Sequence, residues 1–377
     1  MTILSTSSGS QPVTKKAPSL EDILQLSNDL SASDVHLSIN CFPTFRISGE
    51  LVPQHSLSLL TADNLLAMSV VICNERQHKH LLEHHSVDLA FTSEKGLRYR
   101  INVYFELGNP AFAIRWLDGT FHSMSALRLP SQLSKLAQLK DGLVLVTGAT
   151  GSGKSTTLAS IINEINQHRA CHILTIEDPV EFIHFNRKAM VHQREIGRDV
   201  NSFSDAIRSA MREDPDVILL GEMRDTETMM AALMAAETGH LVFSTLHTND
   251  AVGVIDRLVG AFSGDEQSGV RQQLSMVLRA VVTQTLLRPD NSSGRVPVNE
   301  ILMVNTAVSN LIRNHKPEQI YSVMEAGRSL GNQTYDFALA LRVQEKLISR
   351  EQGLRSARKP HAFNELVNQL LSTAGNI

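Results

Sequence analysis

Cysteine is scarce in this chain. Only three occur among its 377 residues, Cys41, Cys73 and Cys171, and no two of them form a CxxC pair. No histidine accompanies them at zinc-finger spacing, so the sequence indicates neither a disulfide framework nor a structural zinc site. Isolated cysteines in a chain of this size are typical of a reducing compartment, and we therefore expect a cytoplasmic protein.

Strong charge of either sign is also missing, since the formal net charge is −4 and the pI is about 6.4. Proteins that follow duplex nucleic acid usually carry a strongly basic surface, so we expect no nucleic-acid partner. No run of 18 apolar residues exists, and we expect no membrane insertion. The first 18 residues are polar and lack the apolar core of a signal peptide, so we interpret them as a flexible arm.

The length predicts two to three domains. Apolar spacing predicts helices over residues 20–30 and 62–82. Alternating apolar and polar residues predict five strands in the same region: Val35–Ile39, Thr44–Ile47, Val87–Phe91, Leu97–Phe105 and Ala111–Trp116. We predict an α+β domain over residues 19–120, followed by a linker over residues 121–134.

The pattern changes at Leu143, where short apolar runs alternate with helical stretches. Four such runs occur: Leu143–Thr147, His172–Ile176, Val217–Leu220 and Leu241–Thr245. Strands that alternate with helices predict a parallel sheet covered on both faces, and we assign residues 135–288 to this α/β core. Later spacing predicts mainly helices, including one over 267–287. We interpret residues 289–350 as a helical C-terminal part and 351–377 as a tail.

A glycine-rich segment, Gly148-Ala-Thr-Gly-Ser-Gly-Lys-Ser155, lies between the first apolar run and a helical stretch. In such a P-loop the glycines let backbone N–H groups approach phosphates, and the following helix adds its positive end. Lys154 is expected to reach the β- and γ-phosphates and Ser155 to bind Mg²⁺, so ATP and Mg²⁺ are the expected cofactors. The predicted nucleotide-binding residues are Gly148, Thr150, Gly151, Ser152, Gly153, Lys154, Ser155 and Thr156.

Carboxylates follow two of the later strands, Glu177 and Asp178 after one and Glu222 after another. In open α/β sheets, ligands bind outside the carboxyl ends of the strands, where the P-loop also lies. ATP hydrolysis needs a carboxylate that orients or deprotonates water, and others that hold Mg²⁺ directly or through water. We predict Glu222 and Glu177 as catalytic and Asp178 as a metal residue. Gly221 occupies the usual position of a Mg²⁺-facing aspartate, so Glu177 or Asp178 is expected to supply that charge.

Two histidines flank the fourth apolar run. His240 and His247 stand roughly 23 Å apart at about 3.3 Å per residue, which excludes a shared metal. His247, at the carboxyl end, is predicted to sense phosphate in catalysis. His240 either organises a turn or an interface or has an ordinary structural role.

Together these segments resemble the twitching-motility ATPases of type IV pili, the PilT/PilU retraction group within the type II/IV secretion ATPases. Four motifs in order carry the resemblance: the P-loop, an acidic box over Ile176–Glu181, a second strand motif over Asp214–Asp225 and a histidine box over Ala235–Thr248. The similarity extends from about Ser31, at the segment Ala-Ser-Asp-Val-His-Leu, to about Arg350.

This resemblance implies a hexamer of subunits with a PAS-like N-terminal domain, a RecA-like core and nucleotide at their junction. It also implies that Arg100 and Arg115, with Arg98 as a third candidate, act as arginine fingers. Guanidinium groups suit the charge of a γ-phosphate. The implied partners are an inner-membrane platform protein of a pilus and, as a further option, a paralogous ATPase. The implied location is the cytoplasmic face of the inner membrane.

Three sequence features bear on whether the ATPase drives pilus assembly or retraction. Assembly-type relatives carry a four-cysteine zinc module that is absent here, which favours retraction, as does the segment Gly331–Asp336. The retraction signature Ala-Ile-Arg-Asn-Leu-Ile-Arg-Glu corresponds to Ala307–Asn314, with Ser309 and Asn314 replacing its first arginine and its glutamate. An accessory or weakly hydrolysing ATPase of a pilus, secretion or conjugation system therefore stays open as an alternative. A nucleic-acid translocase and a small-molecule kinase explain fewer of the motifs.

Overall fold

The computed structural model describes residues 18–290 and 294–374. Residues 1–17 of the predicted arm, residues 291–293 of the predicted loop and the last three residues of the predicted tail lie outside the described residues. The chain divides into two compact units, Met1–Gly119 and Thr120–Ile377.

The first unit combines three helices with one six-stranded sheet. The helices are α1 (Leu20–Asp29), α2 (Ala62–Ile72) and α3 (Glu75–His84), and the strands are β1 (Asp34–Leu37), β2 (Thr44–Ile47), β3 (Glu50–Pro53), β4 (Ser86–Thr92), β5 (Arg98–Glu106) and β6 (Asn109–Leu117). The strand order is β3-β2-β1-β6-β5-β4, and every pair is antiparallel. The predicted α+β character of this unit is confirmed.

Local capping explains where the helices of this unit begin. The predicted helix over residues 62–82 is two helices, because Asn74 starts a new one. Its side chain accepts a hydrogen bond from the Gln77 N–H, and the Gln77 side chain accepts one from the Asn74 N–H. Strand β3 was not predicted, since all of its residues are exposed and it therefore lacks an alternating pattern.

The second unit contains one seven-stranded sheet. Its strands are β7 (Gly142–Thr147), β8 (His172–Glu177), β9 (Met190–Glu195), β10 (Val217–Leu220), β11 (Leu241–Leu246), β12 (Leu278–Leu287) and β13 (Val296–Met303). The order is β13-β12-β7-β11-β10-β8-β9. The β12–β13 pair is antiparallel and the other neighbours are parallel.

Helices cover both faces of this sheet. They are α4 (Lys154–His168), α5 (Phe203–Ala210), α6 (Thr226–Glu237), α7 (Gly253–Val259), α8 (Gln267–Val277), α9 (Thr306–Arg313), α10 (Ile320–Ala326), α11 (Tyr335–Gln344), α12 (Arg350–Ser356) and α13 (Pro360–Ala374), with 3₁₀ turns at Ser131–Gln138, Pro317–Gln319 and Arg328–Leu330. Strand β7 explains the two faces: Leu143 and Leu145 pack into one core, and Val144 and Val146 into another. The predicted α/β core is confirmed.

Two predictions for the C-terminal half are wrong. The helix expected over 267–287 ends at Val277, and the rest is strand β12. A continuous apolar run fits a buried strand as well as a helix, and this one is rich in β-branched residues. The part expected to be helical, 289–350, contains strand β13, which pairs with β12 in the core sheet. The proposed boundary at 288/289 therefore falls between two paired strands.

The predicted tail is helical within the described residues. Helices α12 and α13 pack with α11 around fully buried Phe363 and Val367. Val296 and Val298 of β13 belong to the same apolar cluster. The C-terminal helices are thereby joined to the edge of the central sheet.

Candidate phosphate-binding and hydrolysis site

The P-loop connects β7 to α4. Gly148, Gly151 and Gly153 have φ angles of 138°, 77° and 84°, a region that side-chain-bearing residues rarely adopt. Successive left-handed glycines turn backbone N–H groups toward one concavity, which binds anions. Gly151 has open space where a Cβ would lie. Thr150 is exposed beside it, so the tip of the loop is accessible to a ligand.

Gln284 of β12 supports the loop from the opposite side. A Cβ on Gly148 would lie 2.3 Å from the Gln284 carbonyl oxygen, and one on Gly153 would lie 2.8 Å from Gln284 Nε2. The Gln284 Nε2 donates to the Ser152 carbonyl at 2.7 Å, and its Oε1 accepts from Thr157 Oγ1 at 2.7 Å. Gly148 and Gly153 are therefore required by packing as well as by φ. Gln284 lies in the stretch whose spacing predicts a helix, so the sequence does not indicate its contact with the P-loop.

The hydrogen-bonded chain continues away from the loop. Asn299 Nδ2 donates to Gln284 Oε1 at 2.9 Å, and Gln333 Nε2 donates to the Asn299 carbonyl at 2.8 Å. All three residues are buried, with at most 3% of their surface exposed. Buried amides that satisfy one another hold a single arrangement, so this chain fixes the P-loop relative to β13.

Lys154 begins α4 and folds over the loop. Its Nζ donates to the carbonyls of Gly148 at 2.9 Å and Ala149 at 3.0 Å. Burial lowers the pKa of Lys154, while the charges of Glu222 and Glu181 oppose that shift. The ammonium group is thus positioned at the loop and electrostatically linked to an acid that follows another strand.

The parallel register orders the predicted site residues along one edge of the sheet. Leu246 of β11 pairs with Thr147 of β7, which places His247 beside Gly148. Strand β10 comes next and leads into Glu222, and β8 follows and ends in Glu177. Neighbouring strands are about 4.8 Å apart, so the P-loop and these three residues lie within a few strand widths.

Glu222 and His247 are in direct contact. His247 Nε2 lies 3.2 Å from Glu222 Oε2, and the Arg224 guanidinium contacts the other carboxylate oxygen. Burial raises the pKa of Glu222, but the hydrogen bonds and charges of Arg224 and His247 outweigh it, and the net pKa lies below its ordinary value. Glu222 is therefore an ionised carboxylate with a fixed orientation. The pairing with Arg224 was not foreseen.

The pKa of Glu177 is shifted in the opposite direction from that of Glu222. Its Oε1 accepts hydrogen bonds from Thr175 Oγ1 at 2.7 Å and from Gln193 Nε2 at 3.3 Å. Burial nevertheless dominates and raises the pKa of Glu177 to about 7. Two acids at one sheet edge with pKa values pushed apart are typical of a site that separates acid–base chemistry from charge stabilisation.

The residues present suit Mg²⁺ only together with a nucleotide. Ser155 is exposed in the first turn of α4, and Asp178 follows Glu177 at the end of β8, which β11 and β10 separate from β7. Among the residues that the structure describes, no group of three or more His, Cys, Asp or Glu side chains could hold a metal ion. Mg²⁺ commonly takes one or two protein oxygens and completes its shell with phosphates and water, which fits this set.

A cavity of about 510 Å³ adjoins the P-loop. Gly153 and Thr156 form part of its wall, and Leu286 and Val296 add apolar surface. Arg295 also lines it and reaches the Gly151 carbonyl with its Nη1 at 3.4 Å. An apolar space with a few polar groups next to a phosphate loop can hold the base or sugar of a nucleotide.

The predicted arginine fingers lie in the first unit. Arg100 and Arg115 are directly opposite each other on β5 and β6. Arg100 Nε lies 3.6 Å from Asp88 Oδ1, and Arg115 Nε lies 2.8 Å from Asp34 Oδ1. Alternate residues of β5 are buried, so Arg100 projects from the face opposite the core. The two guanidinium groups therefore share one exposed sheet face of the first unit, whereas the P-loop belongs to the second unit.

Comparison with known proteins identifies the family. The type II/IV secretion system protein family matches residues 12–369. This chain belongs to that family. The twitching motility protein of Neisseria gonorrhoeae is 44% identical over 86% of each chain. The type IV pilus retractation ATPase PilT of Pseudomonas aeruginosa is 42% identical over 91% of this chain and 99% of its own.

A solved structure agrees with the sequence matches. The crystal structure of the pilus retraction motor PilT with bound ADP superposes with a TM-score of 0.84 at 42% identity, covering 92% of this chain and 98% of that one. The resemblance inferred from the motifs and the RecA-like fold are therefore confirmed, and the chain is a P-loop ATPase. No helix within residues 18–290 and 294–374 combines the length and apolar character needed to cross a bilayer.

Proposed function

We propose that this protein is a motor ATPase that hydrolyses ATP to power retraction of a type IV pilus. The observation that carries the proposal is the Glu222–His247 pair at the strand ends beside an ordered P-loop. The similarity to retraction ATPases over nearly the whole chain supports the kind of work that hydrolysis drives.

In this proposal the P-loop holds the triphosphate. Backbone N–H groups between Gly148 and Ser155 surround the phosphates, and Lys154 exchanges its two loop carbonyls for β- and γ-phosphate oxygens. Ser155 and Asp178 would hold Mg²⁺, directly or through water, and the bound ion would neutralise charge on the phosphates. The base occupies the cavity beside Thr156, against apolar side chains such as Leu286.

The acids divide the chemistry of hydrolysis. Glu222 stays charged, and its contact with His247 fixes its orientation, so it positions the attacking water. Glu177, with a pKa near neutrality, suits a group that takes up a proton. His247 lies next to the P-loop and contacts Glu222, so it couples the presence of the γ-phosphate to the orientation of Glu222. In this proposal hydrolysis requires both acids, which follow different strands of the sheet.

We further propose that the subunits act in a ring. Arg100 and Arg115 lie on the exposed sheet face of the first unit, and ATP in a neighbouring subunit is their expected partner, because guanidinium groups stabilise charge on a transferring phosphoryl group. The family implies a hexamer. Retraction further requires a pilus platform protein in the inner membrane, which places the ring at the cytoplasmic face, with a paralogous ATPase as an additional partner.

The test is the ATPase rate per subunit as a function of protein concentration for the wild type, Glu222→Ala and Arg100→Ala. We expect the specific activity to fall as the ring dissociates on dilution and both variants to be inactive. Full activity in a dilute monomer would contradict the intersubunit site. Full activity in both variants would contradict the assigned residues.

One observation favours a second candidate function. Ser309 in helix α9 and Asn314 at its C-cap replace charged residues of the retraction signature, although the apolar side of the helix keeps Val308 and Ile312 buried. In this alternative the chain binds ATP but scarcely hydrolyses it and assists a homologous ring. Normal nucleotide affinity with negligible turnover, restored by a homologous partner, would support it over the motor.

A further inference from the structure

The loop that carries His247 is held at its far end by the C-terminal helices. Residues 247–252 connect β11 to α7. The Arg358 guanidinium, between α12 and α13, donates through Nη2 to the Asn249 carbonyl, and through Nη1 to Glu300 Oε1 at 2.9 Å. The second oxygen of Glu300 accepts the Ala251 N–H at 2.9 Å. Two backbone groups of this loop are therefore bound by one arginine–carboxylate pair.

This pair is itself rigidly mounted. Glu300 lies in β13, is 1% exposed, and pairs across the sheet with Thr283. Thr283 Oγ1 lies 2.8 Å from Oγ1 of Thr147, the last residue before the P-loop. The row Thr147–Thr283–Glu300 thus runs from the phosphate loop to Arg358. A buried carboxylate such as Glu300 is strongly destabilising without a charged partner, and Arg358 is that partner.

Arg358 is held from its own side as well. The two carboxylate oxygens of buried Asp336 accept hydrogen bonds from the backbone N–H groups of Arg358 at 2.8 Å and Lys359 at 2.9 Å. The Tyr335 ring lies beneath the guanidinium at 4.6 Å. Arg358 is therefore oriented by α11 before it contacts the loop, which is what a positioning residue requires.

We propose that Arg358, together with Glu300, is a positioning residue for ATP hydrolysis: it holds the loop after β11 so that His247 stays in hydrogen-bond contact with Glu222. The C-terminal helices thereby set the turnover rate without touching nucleotide. The inference rests on the proposed function, since it assumes that the Glu222–His247 pair takes part in hydrolysis. Any partner that displaces α12 and α13 would slow the motor through this contact.

The first experiment replaces Arg358 by methionine and by lysine and measures steady-state ATP hydrolysis. We expect kcat to fall roughly tenfold in R358M and less in R358K, with the KM for ATP changed by less than about twofold, because orientation and not affinity is lost. The control is Lys359→Ala, which removes the neighbouring exposed cation, and it is expected to keep the wild-type rate. A wild-type kcat in R358M would overturn the proposal.

A structural role is separated from positioning by two further variants. In a His247→Ala background, R358M should lower kcat no further, since coupled residues are non-additive. The double variant R358M with Glu300→Gln no longer contains an unpaired buried carboxylate, so its thermal midpoint should recover. Its kcat should stay low, because the Asn249 carbonyl still lacks the hydrogen bond from Arg358. The proposal would be overturned if R358M lowered kcat by the same factor in the His247→Ala background as in the wild type. It would also be overturned if the double variant with Glu300→Gln recovered kcat together with thermal stability.

Amide hydrogen exchange provides a readout that does not depend on turnover. We expect R358M to accelerate exchange over residues 247–252 while leaving β11 protected. Unchanged exchange there would overturn the role of Arg358 even in an inactive preparation. A wild-type protein without ATPase activity would instead contradict the proposed function, so the two failures are distinguishable.

Discussion

Replacement of Gln284 by leucine tests whether the P-loop depends on the buried amide chain. Leucine has nearly the same size but no polar atoms. The change removes the donor to the Ser152 carbonyl and the acceptor shared by Thr157 and Asn299. The Thr157 hydroxyl can turn to the Gly153 carbonyl of its own helix, as threonine often does. Two buried groups, on Ser152 and Asn299, are then left without their partner.

The magnitude follows from these two groups. A buried polar group without a partner costs about 1–3 kcal/mol, so the Gln284→Leu variant loses roughly 2–6 kcal/mol. Such a loss is a large part of the total of about 5–15 kcal/mol that stabilises a domain. The unpaired Ser152 carbonyl belongs to the P-loop itself. If the loop rearranges to satisfy this carbonyl, the nucleotide-binding form becomes less favourable by about 1.4–3 kcal/mol, which weakens nucleotide affinity roughly tenfold to a hundredfold.

The assay combines thermal unfolding with titration of a fluorescent ADP analogue. Gln272→Leu makes the same chemical change on exposed surface of α8 and serves as the control. We expect Gln284→Leu to unfold at a lower temperature and to gain less stabilisation from saturating nucleotide than the wild type. Wild-type affinity together with a wild-type thermal shift would refute the view that Gln284 supports the phosphate loop.

Three further predictions concern the chemistry. In the wild type, kcat/KM should rise between about pH 6 and pH 8, because Glu177 must lose its proton before it can accept another; Glu177→Gln should abolish that rise, and an unchanged profile would assign it elsewhere. Gly148→Ala should eliminate nucleotide binding in a titration, since a methyl group would lie 2.3 Å from a carbonyl oxygen. Ser155→Ala should raise the Mg²⁺ concentration for half-maximal activity about tenfold and leave Mg²⁺-free nucleotide binding intact; equal Mg²⁺ dependence would remove Ser155 from the metal.

The strand ends of the second unit were predictable because each element carries its own signal. Short apolar runs mark β7, β8, β10 and β11, and parallel strands bring their carboxyl ends to one edge. The residues that follow them, including Glu222 and His247, could therefore be placed together from sequence alone. The contact between those two side chains bears out the expected proximity.

Other features leave no local trace. The run that forms β12 is apolar enough for either a strand or a helix, and its pairing with β13 and β7 decides the outcome. The hydrogen bond between Gln284 and Ser152 joins residues 132 positions apart, so no local sequence motif predicts it. Arg358 lies in a stretch without a recognisable pattern, and only the packing of the C-terminal helices brings it to the loop after β11.

The most direct test of an intersubunit motor site mixes two inactive variants. Glu222→Ala keeps the arginines, and Arg100→Ala keeps the acids, so a ring containing both has intact sites wherever the two meet in the right order. In an equal mixture about a quarter of the interfaces are of that kind, given random placement in a symmetric ring. We predict that mixing restores ATPase activity, up to about a quarter of the wild-type rate if sites act independently. A mixture as inactive as its components, in rings shown to have exchanged subunits, would contradict an arginine supplied by a neighbour.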